Sequence, residues 1–133
     1  MTPHDGEFAR LTDRTLREIA SSERTELASR FACEHGCILV LKGHRTRIAL
    51  PDGRMLVNTS GCSALSKGGS GDVLAGMLVS LLGLGLPPMD ACCAAVWLHG
   101  RAGDLAAREV GLWGMTPSDL LDRIPAALRE VTE

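Results

Sequence analysis

The hydrophobic positions of this chain change period along its length, and each change marks an element. Residues 2–7 are polar and read as a loop, with a short helical turn at residues 8–11 behind it. Thr15, with Glu18 three residues on, has the spacing of a capping box and starts a turn around Ile19. Ser22 caps a helix over residues 23–34, whose apolar positions Leu27, Ala28, Phe31 and Ala32 share one face, and Gly36 ends it. Cys37-Ile38-Leu39-Val40-Leu41 is a continuous, branched apolar run, the pattern of a strand covered on both faces. Helix, glycine and buried strand make half of an α/β repeat.

Strands follow at residues 46–50 and 55–58, joined by Pro51-Asp52-Gly53, a strong hairpin signal. A helix is predicted over residues 71–82, inside an apolar run that reaches Pro88. That run is rich in glycine and slightly short for a membrane span, so a buried helix is the expectation. Gly83, Gly85, Pro87 and Pro88 break it, and a second helix runs from Asp90 to about Val110. Its residues Ala91, Ala94, Ala95, Leu98 and Ala102 form a small-residue face suited to close packing. Thr116, Pro117 and Asp119 start a third helix, which Pro125 ends or kinks before residues 126–131. No internal repeat and no low-complexity linker divides the chain, so residues 1–133 are treated as one domain segment.

With 133 residues and 45% hydrophobic content, the chain can bury a real core and reads as soluble and globular. A net charge of −2 argues against nucleic acid or an anionic membrane as partner. Five cysteines stand at 33, 37, 62, 92 and 93, and none form C-x-x-C. The step from Cys33 to Cys37 has little else to make a zinc site, so no metal-ligating set is assigned. Reduced, mostly buried thiols fit a cytoplasmic protein, and nothing in polar residues 2–7 resembles the apolar core of a secretory leader.

The chemistry is concentrated in Ser66-Lys67-Gly68-Gly69-Ser70-Gly71-Asp72. Small side chains there let the backbone approach a ligand, and the helix behind them delivers free N–H groups and the positive end of its dipole. Such a place binds anions, phosphate above all. Asp72 would repel a bound phosphate, so an acid in the first helical turn suggests phosphate transfer, with the acid facing the attacking group. The plainer alternative is a tight turn followed by a helix-start carboxylate. Neither a Walker A loop nor G-x-G-x-x-G is present, since Leu74 stands where the third glycine of the latter would be. Lys42-Gly43-His44-Arg45-Thr46 lies at the carboxyl end of the buried strand, where open α/β sheets bind ligands.

Four stretches come in one order: Thr2-Pro3-His4-Asp5-Gly6-Glu7, Leu41-Lys42-Gly43-His44-Arg45-Thr46, Gly68-Gly69-Ser70-Gly71-Asp72-Val73-Leu74-Ala75-Gly76, and Leu98-His99-Gly100-Arg101-Ala102-Gly103-Asp104. Together they resemble the ADP-dependent NAD(P)H-hydrate dehydratases, a repair branch of the ribokinase-like superfamily. The match extends to Thr116-Pro117-Ser118-Asp119-Leu120 and Pro125, yet it spans only the C-terminal half of the family's domain. The resemblance implies a ribokinase-like three-layer α/β/α fold, of which this would be the C-terminal half. A loop at residues 2–7 stands where such a domain would open on a strand, so a preceding part is expected.

The reaction implied is repair of hydrated NADH or NADPH. ADP, or ATP in some branches, phosphorylates the ring hydroxyl, and phosphate then leaves to regenerate the double bond; Mg2+ is expected with the nucleotide. Carried over by the resemblance, Lys42, Gly43, His44, Arg45 and Thr46, with Gly71, hold the nucleotide, while His4 and Asp72 contact the hydrated dinucleotide. Gly69, Ser70 and Gly71 would offer N–H groups to the transferring phosphoryl, and Asp72 would take the hydroxyl proton. Glu7 is either a helix-start carboxylate or a binding group, and His99 and Asp104 read as structural. Two positions depart from the family pattern: Ser60-Gly61-Cys62 replaces a common Thr-Gly-Asn, and Lys67 replaces a threonine and adds charge beside the phosphate site. The alternatives are a small-molecule kinase of the same superfamily and an inactive nucleotide-binding fragment. Without the family's first half the chain is expected to be a poor enzyme, with an unpaired edge on the buried strand that favours homo-oligomers.

Overall fold

In the computed structural model, which describes residues 1–19 and 23–132, the chain divides after Asn58 into two units, Met1–Asn58 and Thr59–Glu133. The first unit is built on α1 (Asp5–Leu11), α2 (Leu16–Ile19), α3 (Arg24–His35) and the strands β1 (Leu39–Leu41), β2 (Arg47–Ala49) and β3 (Met55–Val57). Leu39, Val40 and Leu41 are at most 1% exposed, as a strand covered on both faces requires. Phe8, Ile19, Leu27, Ala28, Phe31 and Ala32 close over this unit's core, so the predicted face of α3 is the buried one. The Phe8 and Phe31 rings meet edge to face, 5.3 Å between centroids. Gly36, at φ 58°, ends α3 in the left-handed conformation that glycine adopts without steric cost.

The sheet is an antiparallel meander in the order β1-β2-β3, with Leu39 opposite Ala49 and Ala49 opposite Met55. The β2–β3 hairpin turns as predicted at Pro51-Asp52-Gly53: Gly53, at φ 86°, donates its N–H to Leu50 O at 3.1 Å. Asp52 holds the exit of the turn by accepting the Arg54 N–H at 3.0 Å. The expectation of an unpaired edge on β1 is corrected here. The Val40 and Lys42 N–H groups donate to Met1 O (2.8 Å) and Pro3 O (2.9 Å), and His4 and Lys42 form a parallel bridge. Residues 2–4 are therefore extended along β1 rather than loop, and helix α1 already starts at Asp5.

The second unit packs α4 (Ser70–Gly83), α5 (Pro88–Val110) and α6 (Pro117–Thr132) behind a short 3-10 turn, Ser63–Leu65. Its core gathers Leu98, Ala102, Leu120 and Ala127, with Leu65, Val73, Met77 and Ile124 around them. Thr116 and Asp119 form a reciprocal cap: the Thr116 N–H donates to Asp119 Oδ2 (2.7 Å), and the Asp119 N–H donates to Thr116 Oγ1 (3.4 Å). Helix α6 runs through Pro125 to Thr132 rather than ending there. The carbonyl that Pro125 leaves unpaired belongs to Leu121, a residue 51% exposed, so water can take its place.

Two further expectations change. Ser22, expected to cap α3, lies outside the described residues. Helix α4 is apolar as expected but not a buried helix: Ser70 and Leu74 are its buried residues, whereas Val79 is 69% exposed. Among the described residues no helix is long and apolar enough to cross a membrane.

The Phe8 ring is fully buried against Phe31, so Phe8→Ala removes both its packing and the edge-to-face pair. The variant should lose about 3–5 kcal/mol of stability in urea unfolding. A loss below about 1 kcal/mol would mean that α1 is held to its unit by something other than this ring.

Candidate functional site

In the second unit the glycine loop enters α4 through Gly69, whose φ of 92° is the conformation that glycine permits. A Cβ there would also lie 2.9 Å from Pro117 Cγ. Gly69 O accepts from the N–H groups of Asp72 (3.1 Å) and Val73 (3.2 Å), closing the first turn. Among the described residues, no acceptor meets the N–H groups of Gly69 and Gly71. They are two of the loop's free donors, since among the described residues no acceptor meets the N–H groups of Lys67 and Gly68 either. The expectation that the Ser70 N–H joins them is corrected: it is directed at Lys67 O, 3.3 Å away. Ser70 is instead an anchor, 3% exposed, with its hydroxyl donating to Leu65 O at 2.8 Å. The Asp72 side chain is exposed at the same end of α4.

Helix α5 holds the approach to this loop. A Cβ on Gly100 would stand 2.2 Å from Ser60 Oγ and 2.8 Å from the Ser60 carbonyl carbon, so helix and chain meet without room for a methyl group. A Cβ on Gly103 would stand 2.7 Å from Leu65 Cδ2. Asp104 accepts the Gly61 N–H at 3.0 Å, and Ser60 Oγ donates to Trp97 O at 3.0 Å. His99, 9% exposed, reaches Ser70 O with Nε2 at 2.9 Å. The structural reading of His99 and Asp104 is thus given a purpose: both grip residues 60–70. The two departures from the family pattern also find their contacts. Cys62 Sγ faces Gly103 O at 3.7 Å. Lys67 Nζ donates to Met115 O at 2.8 Å and also to Trp113 O, so its charge is engaged by carbonyl oxygens of the turn before α6.

In the first unit, His4 caps α1. Its Nδ1 accepts the N–H groups of Gly6 (3.0 Å) and Glu7 (3.1 Å), and Glu7 Oε2 accepts the His4 N–H at 2.7 Å. An acceptor Nδ1 puts the ring proton on Nε2. Lys42, at the end of β1, lies with Nζ 3.6 Å from Glu7 Oε2. In the loop beyond it, Thr46 Oγ1 accepts the Gly43 N–H (3.3 Å) and donates to Gly43 O (3.1 Å). His44 and Arg45 are exposed at the tip, Arg45 at φ 53°.

The residue that sets this loop is Arg24, which the sequence did not single out. It is 8% exposed, donates from Nε to Asp5 Oδ1 (3.0 Å) and from Nη2 to Lys42 O (2.8 Å). A Cβ on Gly43, where φ is 147°, would meet Arg24 Nη2 at 2.8 Å. Asp5 and Arg24 are separated by 19 positions, so no local spacing announces the pair. Among the described residues no three of His, Cys, Asp and Glu come together as a metal cage.

Two outcomes follow from this geometry. Gly100→Ala forces α5 and residues 60–61 apart and should cost about 1–3 kcal/mol, with faster hydrogen exchange at the Gly61 amide. Wild-type stability in a thermal melt would show that the close approach can relax freely. The Glu7 carboxyl is held below its ordinary 4.5, chiefly by the His4 N–H and also by the Lys42 ammonium. A depressed carboxylate stabilises the fold above its unfolded value, and that contribution fades as pH falls from there through the lower folded value. Urea midpoints measured downward from pH ~5 should therefore fall less steeply for Glu7→Gln than for wild type. Parallel curves would remove Glu7 from the acid response.

Compared with known proteins, residues 1–126 match the family model described as NAD(P)H-hydrate dehydratase. A bifunctional NAD(P)H-hydrate repair enzyme of Moorella thermoacetica is 45% identical over all 133 residues, which make up 25% of its length. An ADP-dependent (S)-NAD(P)H-hydrate dehydratase of Neisseria meningitidis serogroup B is 42% identical over 112 residues, 84% of this chain and 38% of that protein. The ADP/ATP-dependent NAD(P)H-hydrate dehydratase of Bacillus subtilis, co-crystallised with ATP and Mg2+, superposes with a TM-score of 0.92 at 37% identity, covering 97% of this chain and 47% of that one. A ribokinase-like superfamily protein of Enterococcus faecalis follows at a TM-score of 0.81 and 29% identity, covering 97% and 43%. The ribokinase-like α/β fold expected from the motifs is thus the fold found, and the chain spans from a quarter to just under half the length of these proteins. The chain belongs to the NAD(P)H-hydrate dehydratase family.

Proposed function

We propose that residues 1–133 act as the C-terminal part of an NAD(P)H-hydrate dehydratase domain and carry the phosphoryl-transfer end of its reaction. The observation that carries this reading is the pair of free N–H groups at Gly69 and Gly71, followed at once by the exposed carboxylate of Asp72. Preorganised N–H donors stabilise charge that builds on a transferring phosphoryl group without having to reorganise as it forms. Ser70 contributes by anchoring that loop rather than by donating to the phosphoryl.

In the proposed sequence Asp72 takes the proton of the hydroxyl on the hydrated nicotinamide ring. The hydroxyl oxygen attacks the terminal phosphorus of ADP or ATP, and the shortened nucleotide leaves. The phosphate then leaves with the C–O bonding pair while the neighbouring ring carbon gives up a proton to solvent, and the ring double bond is restored. The loop of Lys42, Gly43, His44, Arg45 and Thr46, held by Arg24, is assigned to the nucleotide along with Gly71, and His4 to the hydrated dinucleotide. Among the described residues no set of side chains builds a Mg2+ cage. The ion would travel on the nucleotide phosphates, completed by water, and no step here is routed through it. A cytoplasmic location goes with this reading, since dinucleotide repair belongs where the cofactor pool is used.

The test is Asp72→Asn in a form that includes the rest of the domain, followed by dihydronicotinamide absorbance with hydrated NADH and ADP. Turnover should fall roughly 100- to 10,000-fold while ADP affinity holds or improves, because the amide cannot take a proton and removes a negative charge beside phosphate. A variant that keeps most of its rate would reduce Asp72 to a helix-start residue.

A further inference from the structure

The peptide between Ser70 and Gly71 has two ends with different occupations. Its C=O meets His99 Nε2 at 2.9 Å, and among the described residues its N–H, on Gly71, meets no protein acceptor. A trans peptide is planar, with its C=O and N–H pointing in opposite directions. Whatever fixes the carbonyl therefore aims the amide. A carbonyl oxygen can only accept, so His99 must donate, which places a proton on Nε2. Drawing electron density toward the carbonyl also makes the amide at the other end a stronger donor.

We propose that His99 is a positioning residue for phosphoryl binding, acting through the Ser70–Gly71 peptide to orient and polarise the Gly71 N–H. The inference rests on the reading of the glycine loop as the phosphoryl site. The surroundings of His99 suit that role. It is 9% exposed, lies on the long helix α5, and is flanked by Leu98, 5% exposed, and by Gly100, whose close approach to Ser60 fixes the helix against the same chain segment. The Ser70 hydroxyl, bonded to Leu65 O at 2.8 Å, holds the preceding side of the peptide. With both sides tied, the Gly71 amide has little freedom to turn away from an arriving phosphate.

The experiment uses the full chain, ADP as the probe, and amide spectra with Gly69 and Gly71 assigned. In wild type both amides should shift as ADP is added. His99→Leu should move the Gly71 amide proton upfield and weaken ADP binding roughly ten- to a hundredfold, a smaller loss than removal of a donor itself. His99→Gln, whose side-chain N–H can reach the same carbonyl, should restore most of both. An unchanged Gly71 signal and ADP affinity in His99→Leu would overturn the proposal, as would equal losses in the leucine and glutamine variants. If the leucine variant does not fold, ring-nitrogen spectra of wild type decide: a protonated Nε2 supports the proposal and an unprotonated one overturns it. If wild type ignores ADP altogether, the phosphoryl reading falls, while the Gly71 shift between variants still reports whether His99 controls that amide.

Discussion

Helix α5 approaches residues 60–65 so closely that a methyl group at position 100 would stand 2.2 Å from a hydroxyl oxygen, and one at position 103 would stand 2.7 Å from a leucine methyl carbon. Much of the second unit follows from that approach. It places Asp104 where it can take the Gly61 N–H, and it seats Leu65 against the helix. Leu65 in turn offers the carbonyl that anchors the Ser70 hydroxyl. The motif Leu98-His99-Gly100-Arg101-Ala102-Gly103-Asp104 thus works mainly as a mould, in which two glycines supply proximity and two polar residues supply direction. Arg101 serves the other side of the helix, holding Glu130 on α6 through two parallel hydrogen bonds of 2.6 Å.

In the first unit a charge plays the part that close packing plays in the second. The guanidinium of Arg24 is almost wholly withdrawn from water and is satisfied by Asp5 and by the carbonyl of Lys42. A planar cation with several fixed donors can hold a helix start and a strand end at one distance, which a flexible ammonium does less well. The 43–46 turn then completes itself through Thr46, so the loop arrives shaped before any ligand does.

What the sequence disclosed well was local chemistry. The Thr15–Glu18 and Thr116–Asp119 caps, the Gly36 stop and the Pro51-Asp52-Gly53 turn all formed as read, because each depends on residues a few positions apart. The order of the four motifs also disclosed the family. What stayed hidden depends on distance or on direction. The Asp5–Arg24 pair and the edge formed by residues 2–4 beside β1 join positions far apart in the chain. The turning of the Ser70 N–H toward Lys67 is a matter of one peptide plane, and composition carries no trace of it. His99 looked like a filled core position, and it is one; its bond to Ser70 O became visible only when α5 and the loop were seen together. The exposure of α4 eluded a reading based on apolarity alone, since a hydrophobic run states a preference for burial and not its extent.

The cap at His4 has a consequence for its own ring. Its Nδ1 is committed to two amide hydrogens of α1, while Nε2, on a side chain that is 55% exposed, lies 3.6 Å from Glu7 Oε1. Nε2 carries the hydrogen, so on that side the imidazole is a donor without a lone pair to offer. It can greet a carboxamide or phosphate oxygen but has nothing for an amino group. A structural duty in the first turn of a seven-residue helix thus decides which ring nitrogen carries the hydrogen.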